Sequence, residues 1–404
     1  MTDSGLEKKL NEIAVENFRK YLRIPSVQPN VNYEECVKFL TQQGKELNLD
    51  VKIFEIVKNK PIVILTKRGT NSRLPSILLN SHMDVVPVFP EFWKYGPFDA
   101  NVDENGNIYG RGAQDMKCVA IQYLEALRRL IRKNVQFKRD IHLSFVPDEE
   151  IGGIDGMKKF VYTSDFTELN VGFALDEGYS SPTSTVYVFN AERNIWQIEF
   201  ICSGSEGHGS LLLENTAGEK MEKLISKIMS FRQTQVEKLK LNNNLTIGDV
   251  TTVNLTMLKG GVEANVIPPR LSATFDFRLS LDVDLVDFEN QIKKWIKDSG
   301  DGIEMKWIQK NSRINPTKVD ESNLFWMKIK EQFDLMNIKY KISTFPGGTD
   351  GRYCREVGIP VIGLSPIMNT PVLLHAHDEF LNKDIFIKGI DIYEKLIPAI
   401  ANQV

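Results

Sequence analysis

Cysteine is scarce and scattered in this sequence. Among 404 residues there are four, Cys36, Cys118, Cys202 and Cys354, with no Cys-x-x-Cys pair. That argues against a disulfide framework and against a thiolate zinc site, and it suits a reducing, cytoplasmic compartment. An excess of one charge is also missing. The formal net charge is −3, without the basic bias that nucleic-acid binding requires. No apolar run approaches the roughly 18 residues of a membrane span. The opening Met-Thr-Asp-Ser-Gly-Leu-Glu-Lys-Lys lacks the apolar core of a signal peptide. No repeat or low-complexity segment is present. Histidine is rare as well, at five residues, so each position carries information.

What is present is a globular composition, 42% hydrophobic and 25% charged, on a chain too long for one ordinary core. Apolar residues at helical spacing predict helices over 6–23 and 34–47, with Ile24-Pro25-Ser26 stopping the first. Strands are predicted at 51–56 and 61–66, and then in the apolar run Ile77-Leu78-Leu79-Asn80, which delivers Ser81-His82-Met83-Asp84. Asp84, two residues beyond His82, returns to the same side of an extended chain, where its carboxylate can accept the imidazole N–H and orient the ring. Taken alone, such a pair is more often a core histidine with its hydrogen bond satisfied.

Asp115 follows a glycine turn and opens a helix whose apolar stripe runs from Met116 to Ile131. A helix cap is its simplest reading. The run Ile141–Val146 ends in Pro147-Asp148-Glu149-Glu150, and Val171–Leu175 ends in Asp176-Glu177. Adjacent carboxylates at a strand end usually mean a solvated turn, unless a cation is present. Here three apolar strands each end in a metal-ligand residue type, His82, Glu150 and Glu177, the placement expected of a site in an open α/β sheet. Near the far end lies His375-Ala376-His377-Asp378-Glu379. His82, Asp115, Glu150, Glu177 and one of that histidine pair form an imidazole–carboxylate set suited to two zinc ions, with an aspartate able to bridge them. Glu149 is then free to act as general base.

Between these segments the pattern changes. A strand at 196–202, a helix at 216–238, strands at 250–258 and 271–279, a helix near 284–298 and a strand at 303–308 give the order β-α-β-β-α-β, a ferredoxin-like unit. The chain then returns with a helix near 321–336, strands at 340–344 and 361–364, and a last helix over 383–402.

Taken together, these motifs resemble the dinuclear zinc amidohydrolases that include carboxypeptidase G-type enzymes, desuccinylases and aminoacylases. The likeness rests on Ser81–Pro87, Tyr109–Lys117 and Pro147–Gly153, and covers essentially the whole chain. Phe173–Gly178, Gly207-His208-Gly209-Ser210 and Asn369–His375 are similar to the aminoacylase branch. The resemblance implies that His82, Asp115 and Glu177 bind one zinc, that Asp115, Glu150 and His375 bind the other, and that Glu149 moves the proton. His377 is the competing ligand, held as a supporting residue because the spacing to Asp378-Glu379 matches better for His375. His208 is implied to act across a homodimer on the tetrahedral oxyanion. Asn265 is implied as a second oxyanion or carbonyl contact. Arg278, Gly348 and Thr349 are implied to hold the substrate carboxylate, with Arg352 as a further candidate. His142, inside a strand, reads as structural.

The expected fold is α/β: a zinc-peptidase-like catalytic domain at 1–189 and 311–404, with a central mixed sheet flanked by helices. An inserted ferredoxin-like α+β lid and dimerisation domain occupies 190–310. The expected activity is cleavage of N-acyl-L-amino acids by a cytoplasmic homodimer holding two Zn2+ per subunit. No nucleic-acid or membrane partner is expected. The alternatives are a dipeptidase or carboxypeptidase on the same scaffold, or a non-catalytic protein that binds amino-acid conjugates.

Overall fold

The computed structural model describes residues 3–403. Met1 and Thr2, part of the stretch inspected for a leader, lie outside the described residues, as does Val404. The chain divides into two compact units, Met1–Ala191 with Asn315–Ile342 and Thr349–Val404, and Glu192–Ile314 with Ser343–Gly348. The short piece Ser343–Gly348 thus clusters with the second unit, whereas the sequence reading leaves everything from 311 onward in the first domain.

A mixed sheet of eight strands runs in the order Asp50–Val57, Lys60–Lys67, Ile141–Val146, Ser76–His82, Val171–Asp176, Val361–Leu364, Thr185–Glu192 and Lys339–Phe345. The four strands from Ile141–Val146 to Val361–Leu364 are parallel, and Lys60–Lys67 and Thr185–Glu192 flank them antiparallel. Parallel strands are covered on both faces, which explains the unbroken apolar runs. Ile77, Leu79, Phe173 and Leu175 join a larger core with Phe18, Leu40, Leu124 and Tyr393. Leu78, Ala174, Ile62 and Ile64 point the other way, into a smaller core with Met157, Phe160 and Phe166. The alternation in Ile141–Val146 therefore marks no solvent face. His142 is buried between Thr66 Oγ1 (2.8 Å) and the Leu169 carbonyl (3.1 Å), and the Ser144 hydroxyl donates to Asn80 Oδ1 at 2.6 Å.

The strand Thr185–Glu192 and a small sheet of Asn101–Val102, Asn107–Tyr109 and Phe380–Asn382 are absent from the sequence reading. Both contain short or mixed stretches, and Thr185–Glu192 and Asn107–Tyr109 each take a pairing partner from far along the chain, at Val361–Leu364 and Phe380–Asn382.

In the second unit, Thr252–Gly260, Arg270–Leu279, Asn194–Ser203 and Ile303–Lys310 form an antiparallel sheet in that spatial order. The helices Ala217–Leu241 and Leu285–Lys297 supply Leu224, Ile228, Phe288 and Ile292 to a core with Trp196, Phe200, Phe275 and Phe277. This is the β-α-β-β-α-β arrangement. Thr216 and Glu219 close a reciprocal cap on the first helix, and Asp284 caps the second. Among the described residues no helix is long and apolar enough to cross a membrane.

Candidate metal centre

Three neighbouring parallel strands end on one side of the large sheet. Pairing of His82 with Val146 brings the end of Ser76–His82 level with the turn that carries Glu149 and Glu150. Val171–Asp176 delivers Glu177 from the other flank. Asp115 stands just before the helix Lys117–Arg132, whose cap position is Met116 and which has no side-chain cap. Asp115 is therefore not spent as a helix cap, and its two oxygens face two imidazoles. Oδ1 lies 3.1 Å from His82 Nε2, and Oδ2 lies 3.4 Å from His375 Nε2. His82 Nε2 is also 3.7 Å from Glu177 Oε2, and His375 Nε2 is 3.1 Å from Glu150 Oε2. Donor atoms of His82, Asp115 and Glu150 fall within 4.8 Å of one another, as do those of His82, Glu149 and Glu177. His377 points elsewhere: its ring packs 5.2 Å from that of Phe92 and 6.3 Å from that of Phe89.

The electrostatics of this cluster are those of donors short of positive charge. Burial, then the Glu177 charge, pushes the Glu149 carboxyl well above its usual range. Burial and Asp115 do the same to Glu177, and they raise Glu150 to about 7. For Asp115 burial acts in the same direction, but hydrogen bonds with His375 and His82 outweigh it and hold it well below the carboxylate range. Burial works to lower His82, yet the carboxylates around it leave the ring well above its ordinary value. His375 rises to about 10 beside Asp115 and Glu150. Buried Glu150 Oε1 has no hydrogen-bond partner among the described residues. Oxygen and imidazole donors in this arrangement, with one lone pair to spare, fit divalent cations, which would take the place of the protons.

Asp84 departs from its expected task. His82 Nδ1 donates to the backbone carbonyl of Asp84 at 2.9 Å, while the Asp84 carboxylate stands 3.6 Å from that nitrogen. The carboxylate accepts instead from the backbone N–H groups of Glu149 (3.2 Å) and Glu150 (3.1 Å). It orients the turn and not the ring.

Several supporting residues carry no local signal. Glu379 is fully buried. One of its oxygens accepts from Gln114 N (2.6 Å) and Asp115 N (3.3 Å), and the other from Gly112 N (3.2 Å) and Arg111 Nη1 (2.8 Å). Arg111 Nη2 reaches the carbonyl of His375 at 3.3 Å. Gln114 donates to the carbonyls of Pro371 and Phe380 and accepts from Leu373 N and Ser180 Oγ. These bonds fasten the loop bearing His375 to the turn bearing Asp115. Arg352 Nη2 (2.8 Å) and the Tyr353 hydroxyl (2.5 Å) both donate to the Gly152 carbonyl, just beyond Glu149 and Glu150.

The remaining candidates lie in or beside the second unit. Gly207 and His208 pair with Ile267 and Val266, and Gly209 N donates to the Asn265 carbonyl at 2.7 Å, so His208 and Asn265 are neighbours. His208 is exposed. Its Nδ1 lies 2.8 Å from Ser210 Oγ and 3.2 Å from Ser210 N, so Nδ1 is engaged locally and Nε2 stands outside these contacts. Arg278 makes a two-point pair with Asp276, at 2.7 and 3.1 Å, and leaves Nη1 outside it. Gly348 is half-buried and Thr349 buried.

An open α/β sheet with imidazole and carboxylate donors at its parallel strand ends defines the class, an α/β scaffold built around a cluster fit to hold cations. The chain belongs to peptidase family M20/M25/M40, whose sequence profile matches residues 78–399. It is similar to mouse Aminoacylase-1, at 47% identity over 389 residues, 96% of this chain and 95% of the mouse protein. Among solved structures it is similar to the M20 metallo-carboxypeptidase Sso-CP2 of Sulfolobus solfataricus, with a TM-score of 0.74, 19% identity and coverage of 96% and 99% of the two chains. The YXEP protein of Bacillus subtilis, a dinuclear metal-binding peptidase, aligns with a TM-score of 0.72 and 16% identity over 98% of this chain and all of its own.

Proposed function

We propose that the protein hydrolyses the amide bond of N-acyl-L-amino acids, releasing a carboxylate and a free L-amino acid. His82, Asp115, Glu150, Glu177 and His375 would hold two Zn2+ per subunit. The observation that carries this reading is the buried Asp115 carboxylate divided between His82 and His375. The substrate class follows the similarity to Aminoacylase-1. When bound, such ions supply Lewis acidity to an amide carbonyl and make water more acidic.

The rest of the chemistry belongs to the chain. Glu149 accepts a proton from the attacking water and returns it to the leaving nitrogen. Its burial excludes competing solvent. His208 offers Nε2–H to the developing oxyanion, reaching the site of the partner subunit, with Asn265 as a second contact. Arg278, Gly348 and Thr349 hold the substrate carboxylate, which suits a planar guanidinium. A homodimer is supported by the outer edge of Thr252–Gly260, where Leu255, Met257 and Leu258 are 37%, 45% and 62% exposed. The scattered free cysteines suit a cytoplasmic location.

The test is Glu149→Gln. It should keep two zinc ions by elemental analysis and lose nearly all release of methionine from N-acetyl-L-methionine. A fully active variant would sink the mechanism. Preference for a glycine-containing dipeptide over N-acetyl-L-methionine would move the assignment to a dipeptidase.

A further inference from the structure

The turn that carries Glu149 and Glu150 begins at Asp148, a non-glycine residue with φ of +65°. That region costs an L-residue of order 1 kcal/mol or more, so the turn needs support from outside itself. The support comes from the segment that follows the first helix, Asp3–Leu22. Gln28 Nε2 donates to Asp84 Oδ2 at 2.7 Å and to Asp148 Oδ1 at 3.0 Å. The Tyr33 hydroxyl donates to the same Asp148 oxygen at 2.7 Å and accepts from the Asp148 backbone N–H at 2.9 Å. Lys60 Nζ closes on the other oxygen, Asp148 Oδ2.

Gln28, Tyr33, Asp84 and Asp148 are all at least 97% buried. Two carboxylates this deep need donors between them, and one amide serves both. Burial, reinforced by Asp84, keeps the Tyr33 phenol protonated and therefore a donor. The network ends on function and not on packing, because Asp84 spends both oxygens on the N–H groups of Glu149 and Glu150.

We infer that Gln28 and Tyr33 are positioning residues. Through Asp148 and Asp84 they set the direction of Glu149 for proton transfer and of Glu150 for metal binding. The inference rests on the roles given to those two glutamates above.

The experiment uses Tyr33→Phe and Gln28→Met, which remove the donors and keep the volume, assayed on N-acetyl-L-methionine with Zn2+ supplied. Loss of a partner that orients a ligand or base typically costs 10- to 100-fold. The expected result is a kcat lower by about tenfold or more with KM within about twofold, and Zn2+ affinity, read by competition with a chelator, weaker by about tenfold. The double variant should be no worse than the more severe single one, because both act through one turn. A lowered melting temperature with kcat and Zn2+ affinity within about twofold of the parent would overturn the inference and leave a purely structural role. If Tyr33→Phe does not fold, Gln28→Met and Lys60→Met carry the test. Glu149→Gln in the same assay reports separately on the base: full activity there overturns that assignment and the inference built on it. A dead Glu149→Gln beside unimpaired Tyr33→Phe and Gln28→Met overturns the inference alone.

Discussion

His142 illustrates how one side chain can tie stability to pH without taking part in chemistry. Burial holds its imidazole down, at about 4 against an ordinary 6.5. As the pH falls through 6.5 the unfolded chain takes up a proton there, and the folded chain does not until about 4. The unfolded state binds more protons in that window, so stability is full above it and falls as the pH drops, by roughly 3 kcal/mol in all. His142→Gln, which can still bond Thr66 and the Leu169 carbonyl, should flatten the dependence of urea-unfolding stability between pH 4 and 6.5. Equal slopes in both proteins would rule this account out. At the same scale, the donor inventory could be read from sequence because His82, Asp115, Glu150, Glu177 and His375 are rare or clustered types at element ends. Gln28, Tyr33, Gln114 and Glu379 could not be read. A glutamine or tyrosine has no distinctive spacing, and their bonds span tens to hundreds of residues, from Gln28 to Asp148 and from Gln114 to Leu373.

Among elements, the parallel strands were legible because both faces are buried and their apolar runs are unbroken. Thr185–Glu192 was not, although Ser180-Ser181-Pro182-Thr183-Ser184 precedes it as a turn signal, because its residues mix buried and half-buried positions without an unbroken apolar run. The strand Thr252–Gly260 shows the opposite mismatch. It carries leucines and a methionine as a core strand would, yet from Asn254 onward every residue is exposed. An apolar edge of this kind calls for a partner or invites aggregation. On the proposed homodimer, Leu258→Asp, which places charge on that edge, should shift the sedimentation velocity from dimer to monomer while the melting temperature changes by little. If His208 acts across the dimer, turnover should fall with dissociation. A monomeric variant with full activity would remove His208 from the partner's site.

For the whole molecule, the central cost is the gathering of three glutamates, an aspartate and two histidines in one place, all but the exposed His375 largely out of solvent. Protons can relieve it in part, as the raised Glu149, Glu150 and Glu177 and the raised His375 indicate. Divalent ions would relieve it more fully. Ligand that binds only the folded state stabilises by about 4 kcal/mol at a thousand times its Kd. Removing metal with a chelator at neutral pH should therefore lower the melting temperature by several degrees, and added Zn2+ should restore it. An unchanged melting temperature, in protein first shown by elemental analysis to hold two zinc ions, would contradict that account.

By itself the sequence determined the long helices, the parallel strands, the βαββαβ segment and the chemical types available to the site, because these depend on spacing over a few residues and on side-chain identity; the short helices Met157–Phe160, Ser164–Glu168 and Gly351–Glu356 were not read. Only the tertiary structure decided which atoms meet. It turned the two oxygens of Asp115 toward different imidazoles and moved the Asp84 carboxylate from the ring of His82 to the turn of Glu149. It also set His375, and not His377, among the carboxylates. Such choices turn on ångström distances between residues far apart in the chain, and those distances exist only once strand register and loop closure have placed the backbone.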